Sequence, residues 1–195
     1  MAINPVVFQE SGVSFVFNQN WLVRSYDTHT YFQGLSGAGL KGVDFLGVHN
    51  RDHLVLMEVK NYLPDPAGRR NRQIAQRLAA PEAIGVSIAS KMRDTLRAID
   101  LIHRYFQTRF GYRLAYPFLP WMKQATPEWY FWTNARKLMD TRVSMICWMQ
   151  LEADHAHLAS LIQDVANREV EGRNLHIDIL PFSQNPFEPD LQIRV

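Results

Sequence analysis

The stretch that most constrains the fold is Lys41 to Lys60, KGVDFLGVHNRDHLVLMEVK. It reads as two apolar strands joined by a polar turn, His49-Asn50-Arg51-Asp52-His53, of the longer hairpin kind. Side chains alternate along a strand, so Leu54, Leu56, Glu58 and Lys60 share one face, and Val55, Met57 and Val59 the other. In the first strand Gly42, Asp44, Leu46 and Val48 share a face. A turn centred on Arg51 pairs Val48 with Leu54, Leu46 with Leu56 and Asp44 with Glu58, which sets the two acids facing each other at a Cβ separation of roughly 5 Å. A slip of one residue would send Glu58 to the opposite face.

Three charges in segments otherwise suited to a core carry a cost unless they are paired or metal-bound. Facing carboxylates repel, and a cation between them relieves the repulsion. Carboxylate oxygens are the ligands that Mg²⁺ (or Mn²⁺) prefers. Lys60, pointing the same way, is then placed to stabilise developing negative charge or to orient an attacking water.

The rest of the chain offers little competition. At 195 residues, 47% hydrophobic and 21% charged, it is expected to fold as one domain around one core. A net charge of +2 is too small to indicate nucleic acid by itself, so a basic surface must be local. The lone Cys147 sits among Met145, Ile146, Trp148 and Met149 and reads as core. There is no signal-peptide pattern and no apolar run that would span a bilayer, so a cytoplasmic protein without a membrane partner is expected.

Taken in order, Val13 to Phe17 suggests a strand, with Trp21 to Tyr26 and His29 to Leu35 as two more. Gly37, Gly39 and Gly42 match GxGxxG but lead into a strand rather than a helix, so they read as a turn and not as a dinucleotide site. After Lys60 come Pro64 and Pro66, then Arg69, Arg70, Arg72 and Arg77, either a solvated helix face or contacts to phosphate. A helix from Pro81 to Phe110 follows from apolar residues at three- and four-residue steps, with Gly111 as its stop and Lys91 at the edge of the apolar stripe. Glu128 to Trp132 and Val143 to Met149 read as buried strands. Asp154 is expected to cap a helix to about Arg168 before Gly172, and Leu175 to Leu180 is a last strand.

GVD, an intervening hairpin and EVK at a strand end, together with the helix that follows, resemble the PD-(D/E)XK nuclease superfamily. The resemblance implies an α/β restriction-endonuclease-like fold, a mixed central sheet flanked by helices in three α/β/α layers. It covers about residues 13–149, with 143–195 as a C-terminal strand-helix-strand addition. It implies a Mg²⁺-dependent nuclease acting on DNA, often as a homodimer. Asp44 and Glu58 then correspond to metal ligands, the Val59 carbonyl to a further ligand and Lys60 to the catalytic lysine. Val43 stands where the family has its nominal proline. Glu10 and Asp27 are candidates for a further acid, and Gln73, Gln76 and Lys91 fall where relatives carry auxiliary residues. The alternative is a catalytically inactive module of the same fold that binds nucleic acid or protein, with Lys60 neutralising the acids.

Overall fold

The computed structural model describes residues 5–37, 39–109, 111, 116–118, 127–171 and 175–194. In chain order its elements are β1 (Val6–Glu10), β2 (Val13–Phe17), β3 (Trp21–Ser25), α1 (Thr30–Ser36), β4 (Phe45–His49), β5 (His53–Asn61), α2 (Asn71–Leu78) and α3 (Pro81–Thr108). After these come α4 (Pro127–Met139), β6 (Val143–Gln150), α5 (Leu158–Val170), β7 (Ile177–Leu180) and β8 (Leu191–Arg194), with single 3₁₀ turns at Tyr116–Phe118 and Ala153–His155.

The strands make two sheets, one ordered β3-β4-β5-β6-β7 and one ordered β1-β2-β8. In the larger, β3, β4 and β5 are successively antiparallel, whereas β5, β6 and β7 run parallel. Parallel neighbours need crossover connections. One runs through α2, α3 and α4, the other through α5. Because β5, β6 and β7 progress across the sheet in one direction, right-handed crossovers place both sets of helices on the same face. That face is packed by Leu46, Leu54, Leu56 and Met145 against Ile88, Met92, Ile99 and Ile162. The opposite face, with Trp21, Phe45, Met57 and Trp148, is covered by Val13, Phe15, Phe17 and Leu191 of the smaller sheet. The fold is therefore mixed α/β, but among the described residues the layers are helix, sheet and sheet, not the expected α/β/α.

The β4–β5 register is the one the alternation predicts, with Val48 opposite Leu54, Leu46 opposite Leu56 and a turn around Arg51. Asn50 and Arg51 have φ of 48° and 65°, the left-handed region a tight reversal requires. β1 and β2 form a hairpin whose two turn residues, Ser11 and Gly12, both have positive φ, as a type I′ turn demands. α3 begins with Pro81 and Glu82 in its first turn, matching the expected start. It ends at Thr108, and the expected end at Phe110 lies outside the described residues. Gly85 lets α3 approach α5 closely: a Cβ there would lie 2.8 Å from the Ile162 carbonyl oxygen.

Two expected strands are helices. His29 to Leu35 falls largely in α1, where the His29 side chain caps the helix by accepting from the Tyr31 N–H. Glu128 to Trp132 lies in α4, which has Pro127 and Glu128 in its first turn, Arg136 and Lys137 in its last, and Trp129, Trp132 and Ala135 buried on one side. Asp154 sits in a 3₁₀ turn and does not cap α5, whose cap is His157. Cys147 is buried, and burial pushes its thiol well above the ordinary range, as suits a core residue. No helix among the described residues is long and apolar enough to cross a membrane.

Candidate active site

The site forms where β5 outruns β4. The β4–β5 ladder closes at Phe45 opposite Met57, so the next β5 donor on that side, the Val59 N–H, has no backbone partner in β4. Asp44, one residue before β4, fills the gap: its Oδ2 accepts from the Val59 N–H at 2.7 Å. The Asp44 carbonyl accepts from the Tyr26 N–H at 2.8 Å, which ties the end of β3 to the same point. The carboxylate is thus held by strand geometry at the end of the β4–β5 ladder and is only 7% exposed.

Glu58 is fully buried on the helix-facing side of β5. Its Oε1 accepts from both the Lys60 and the Lys91 ammonium groups, Lys91 at 2.6 Å. Lys91 also lies 3.7 Å from Asp44 Oδ1, so one ammonium reaches both acids. α3 positions Lys91 through Thr95, whose hydroxyl donates to the Lys91 carbonyl at 2.8 Å and accepts from the Val43 N–H at 3.1 Å. Glu58 Oε2 is buried and has no hydrogen-bond partner among the described residues.

Burial pushes the Glu58 carboxyl above its ordinary range, opposed by Lys60 and Lys91 and reinforced by Asp44. Burial alone would lower Lys60, but Glu58 and Asp44 outweigh it and hold the ammonium above its ordinary value. The two ammonium groups on one Glu58 oxygen are the contacts that oppose the effect of its burial.

Glu10 and Asp27, the candidates for a further acid, come to Asp44: one oxygen of each lies within 4.8 Å of the others. Glu10 closes β1 beside the Ser11-Gly12 turn, and that turn is pinned to the end of β5 by the Asn61 amide donating to the Ser11 carbonyl at 3.2 Å. Asp27 follows β3. Glu58 is not in this group of three. Asp44 therefore joins two clusters, one acidic towards Glu10 and Asp27, one basic towards Lys60 and Lys91.

α2 lies over the lysines. Arg70 and Gln73 line a polar cleft of ≈ 80 Å³ with Lys60 and Arg77, and Gln76 lines a larger cavity of ≈ 560 Å³ that also contains Lys60, Arg77 and Lys91. Arg69 and Arg72 line neither cavity. All four arginines are exposed, and none makes an ion pair among the described residues. Comparison of the chain with protein-family models, curated proteins and solved structures returns no match.

Proposed function

We propose that this chain is a Mg²⁺- or Mn²⁺-dependent nuclease of PD-(D/E)XK type, hydrolysing phosphodiester bonds in DNA. The observation that carries the reading is the convergence of Asp44 and Glu58 on the Lys91 ammonium, with Lys60 on the same Glu58 oxygen.

The donor set fits a hard divalent ion. Glu10, Asp27 and Asp44 offer oxygens close enough to share one, and Glu58 Oε2 is a buried acceptor without a hydrogen-bond partner among the described residues. Asp44 would hold the ion with Glu58 or with Glu10 and Asp27. The N–H and carbonyl of one strand residue point to the same side, so the Val59 carbonyl is directed towards Asp44 as a further ligand. A bound divalent ion supplies Lewis-acid polarisation of the phosphodiester.

The chain's own residues do the rest. Lys60, charged despite its burial, presents a fixed cation to charge that develops on the phosphoryl oxygens. Lys91 orients Glu58 by donating to its Oε1. The arginines of α2 supply contacts to backbone phosphates, which position the strand without reading its sequence.

The pairing of both lysines with Glu58 favours a second reading, a non-catalytic nucleic-acid- or protein-binding module in which the cluster is structural. Incubation with linear, supercoiled and single-stranded DNA, with Mg²⁺ or Mn²⁺ and then with chelator, separates the two. Metal-dependent cleavage that disappears in Glu58→Ala and Lys60→Ala is expected. Cleavage that persists in either variant refutes the mechanism, and none by wild type on any substrate supports the module.

A further inference from the structure

We infer that the cavity between α2 and α3 seats one unpaired nucleotide beside the reacting phosphate, so that the preferred substrate is a single-stranded segment or a frayed end. This deepens the nuclease reading and rests on it in one respect, that Lys60 and Lys91 face a phosphodiester.

Two compartments meet at Lys60, Tyr62 and Arg77, which line both. The smaller, ≈ 80 Å³, is walled by Asn61, Arg70 and Gln73 and is polar. It has room for a phosphate and not for a base. The larger, ≈ 560 Å³, lies within the roughly 300–1,000 Å³ of small-ligand pockets. Its lining is different in kind: Ala80, Ala83 and Ile84 give an apolar wall, Gln76 and Ser87 two polar groups, and Lys91 and Lys60 the cationic end. A phosphate at the lysines would place its sugar and base against the alanines and Tyr62, with the Gln76 amide and Ser87 hydroxyl available to the base edge. The exposed Arg70 and Arg77, without ion pairs among the described residues, continue the cationic path to the neighbouring phosphate.

A duplex cannot fill such a compartment without extruding a base, which costs stacking and pairing. A single strand offers its bases freely, and a nucleobase against an apolar or aromatic wall gains affinity with little regard to sequence. The two compartments therefore favour unpaired over paired DNA.

The test is binding in the presence of chelator, where no cleavage is needed. Fluorescence anisotropy compares a labelled oligothymidylate with its duplex, and competition compares dTMP with inorganic phosphate. We expect the single strand to bind at least about tenfold tighter than duplex, and dTMP to compete at least about tenfold better than phosphate. Ala83→Leu, which fills the larger compartment from an exposed helix position, should remove both differences while circular dichroism stays unchanged. Equal binding of single strand and duplex, dTMP no better than phosphate, or an unaffected Ala83→Leu variant would each overturn the inference. Single-strand preference in a protein that never cleaves leaves the pocket standing and ends the nuclease reading. Duplex cleavage without that preference does the reverse.

Discussion

Lys91→Met removes an ammonium group and keeps the aliphatic stem, so it isolates the electrostatics of the cluster. At an effective dielectric constant of about 20, a unit charge 2.6 Å from Glu58 Oε1 and 3.7 Å from Asp44 Oδ1 interacts by about 6 and about 4 kcal/mol. Most of this is offset by the cost of drawing a partly exposed ammonium out of water. Removing the sole partner of a buried charge typically costs about 3–5 kcal/mol. Here Lys60 remains on the same oxygen, so about 2 kcal/mol is expected at pH 7 in chelator. For a chain of this size that is a fall of about 4–8 °C in Tm, measured by calorimetry or circular dichroism. The same substitution in a Glu58→Gln background meets only Asp44 and should cost under about 1 kcal/mol. Coupling between the two positions below about 0.5 kcal/mol would refute the reasoning, because it would mean that Lys91 does not compensate Glu58.

Elsewhere, burial would raise Glu128, but hydrogen bonds from His29 and Arg24 and the Arg24 charge hold it at about 2, below its ordinary 4.5. The unfolded chain takes up this proton first as pH falls, so the stabilisation is complete above about 4.5 and lost towards 2. Glu128→Gln should flatten that part of the acid-unfolding curve, by about 1 kcal/mol after allowance for solvent screening; an unchanged slope would show that the contacts are not held in solution. Gly85→Ala forces a methyl against the Ile162 carbonyl and Val165, and chemical denaturation should show a loss of about 1–3 kcal/mol. Arg70→Ala should leave Tm within about 1 °C but lower the slope of log affinity for DNA against log salt by about 1.

The parts of the fold written in local periodicity were legible. The β4–β5 register follows from strict alternation about Arg51, and the start of α3 from Pro81 and Glu82. Residues 128–132, EWYFW, misled because aromatics favour strands; Pro127 ahead of Glu128, with Arg136 and Lys137 a few turns later, was the helix signal that outweighed them. Glu10 closes β1, a strand absent from the elements expected above, although Ser11-Gly12 between two apolar runs is a hairpin signature. The second sheet had no local signal, since β8 pairs with β2 across nearly the whole chain. That non-local pairing explains the difference from the expected layers: it covers the face that one-directional crossovers leave without helices. In the site, alternation along β5 puts Glu58 on the helix-facing side with Leu54 and Leu56, whereas Asp44 lies just before β4, and Lys91, at the margin of the α3 stripe, needed the packing of α3 on the sheet to reach both acids.

In the proposed nuclease, Asp44 anchors a divalent ion at the end of β5. Calorimetric titration of the metal-free protein with Mn²⁺ tests it without reference to any substrate. Saturable binding by wild type is expected, lost in Asp44→Ala while the variant remains folded. No binding by wild type, or equal binding by the variant, would contradict it.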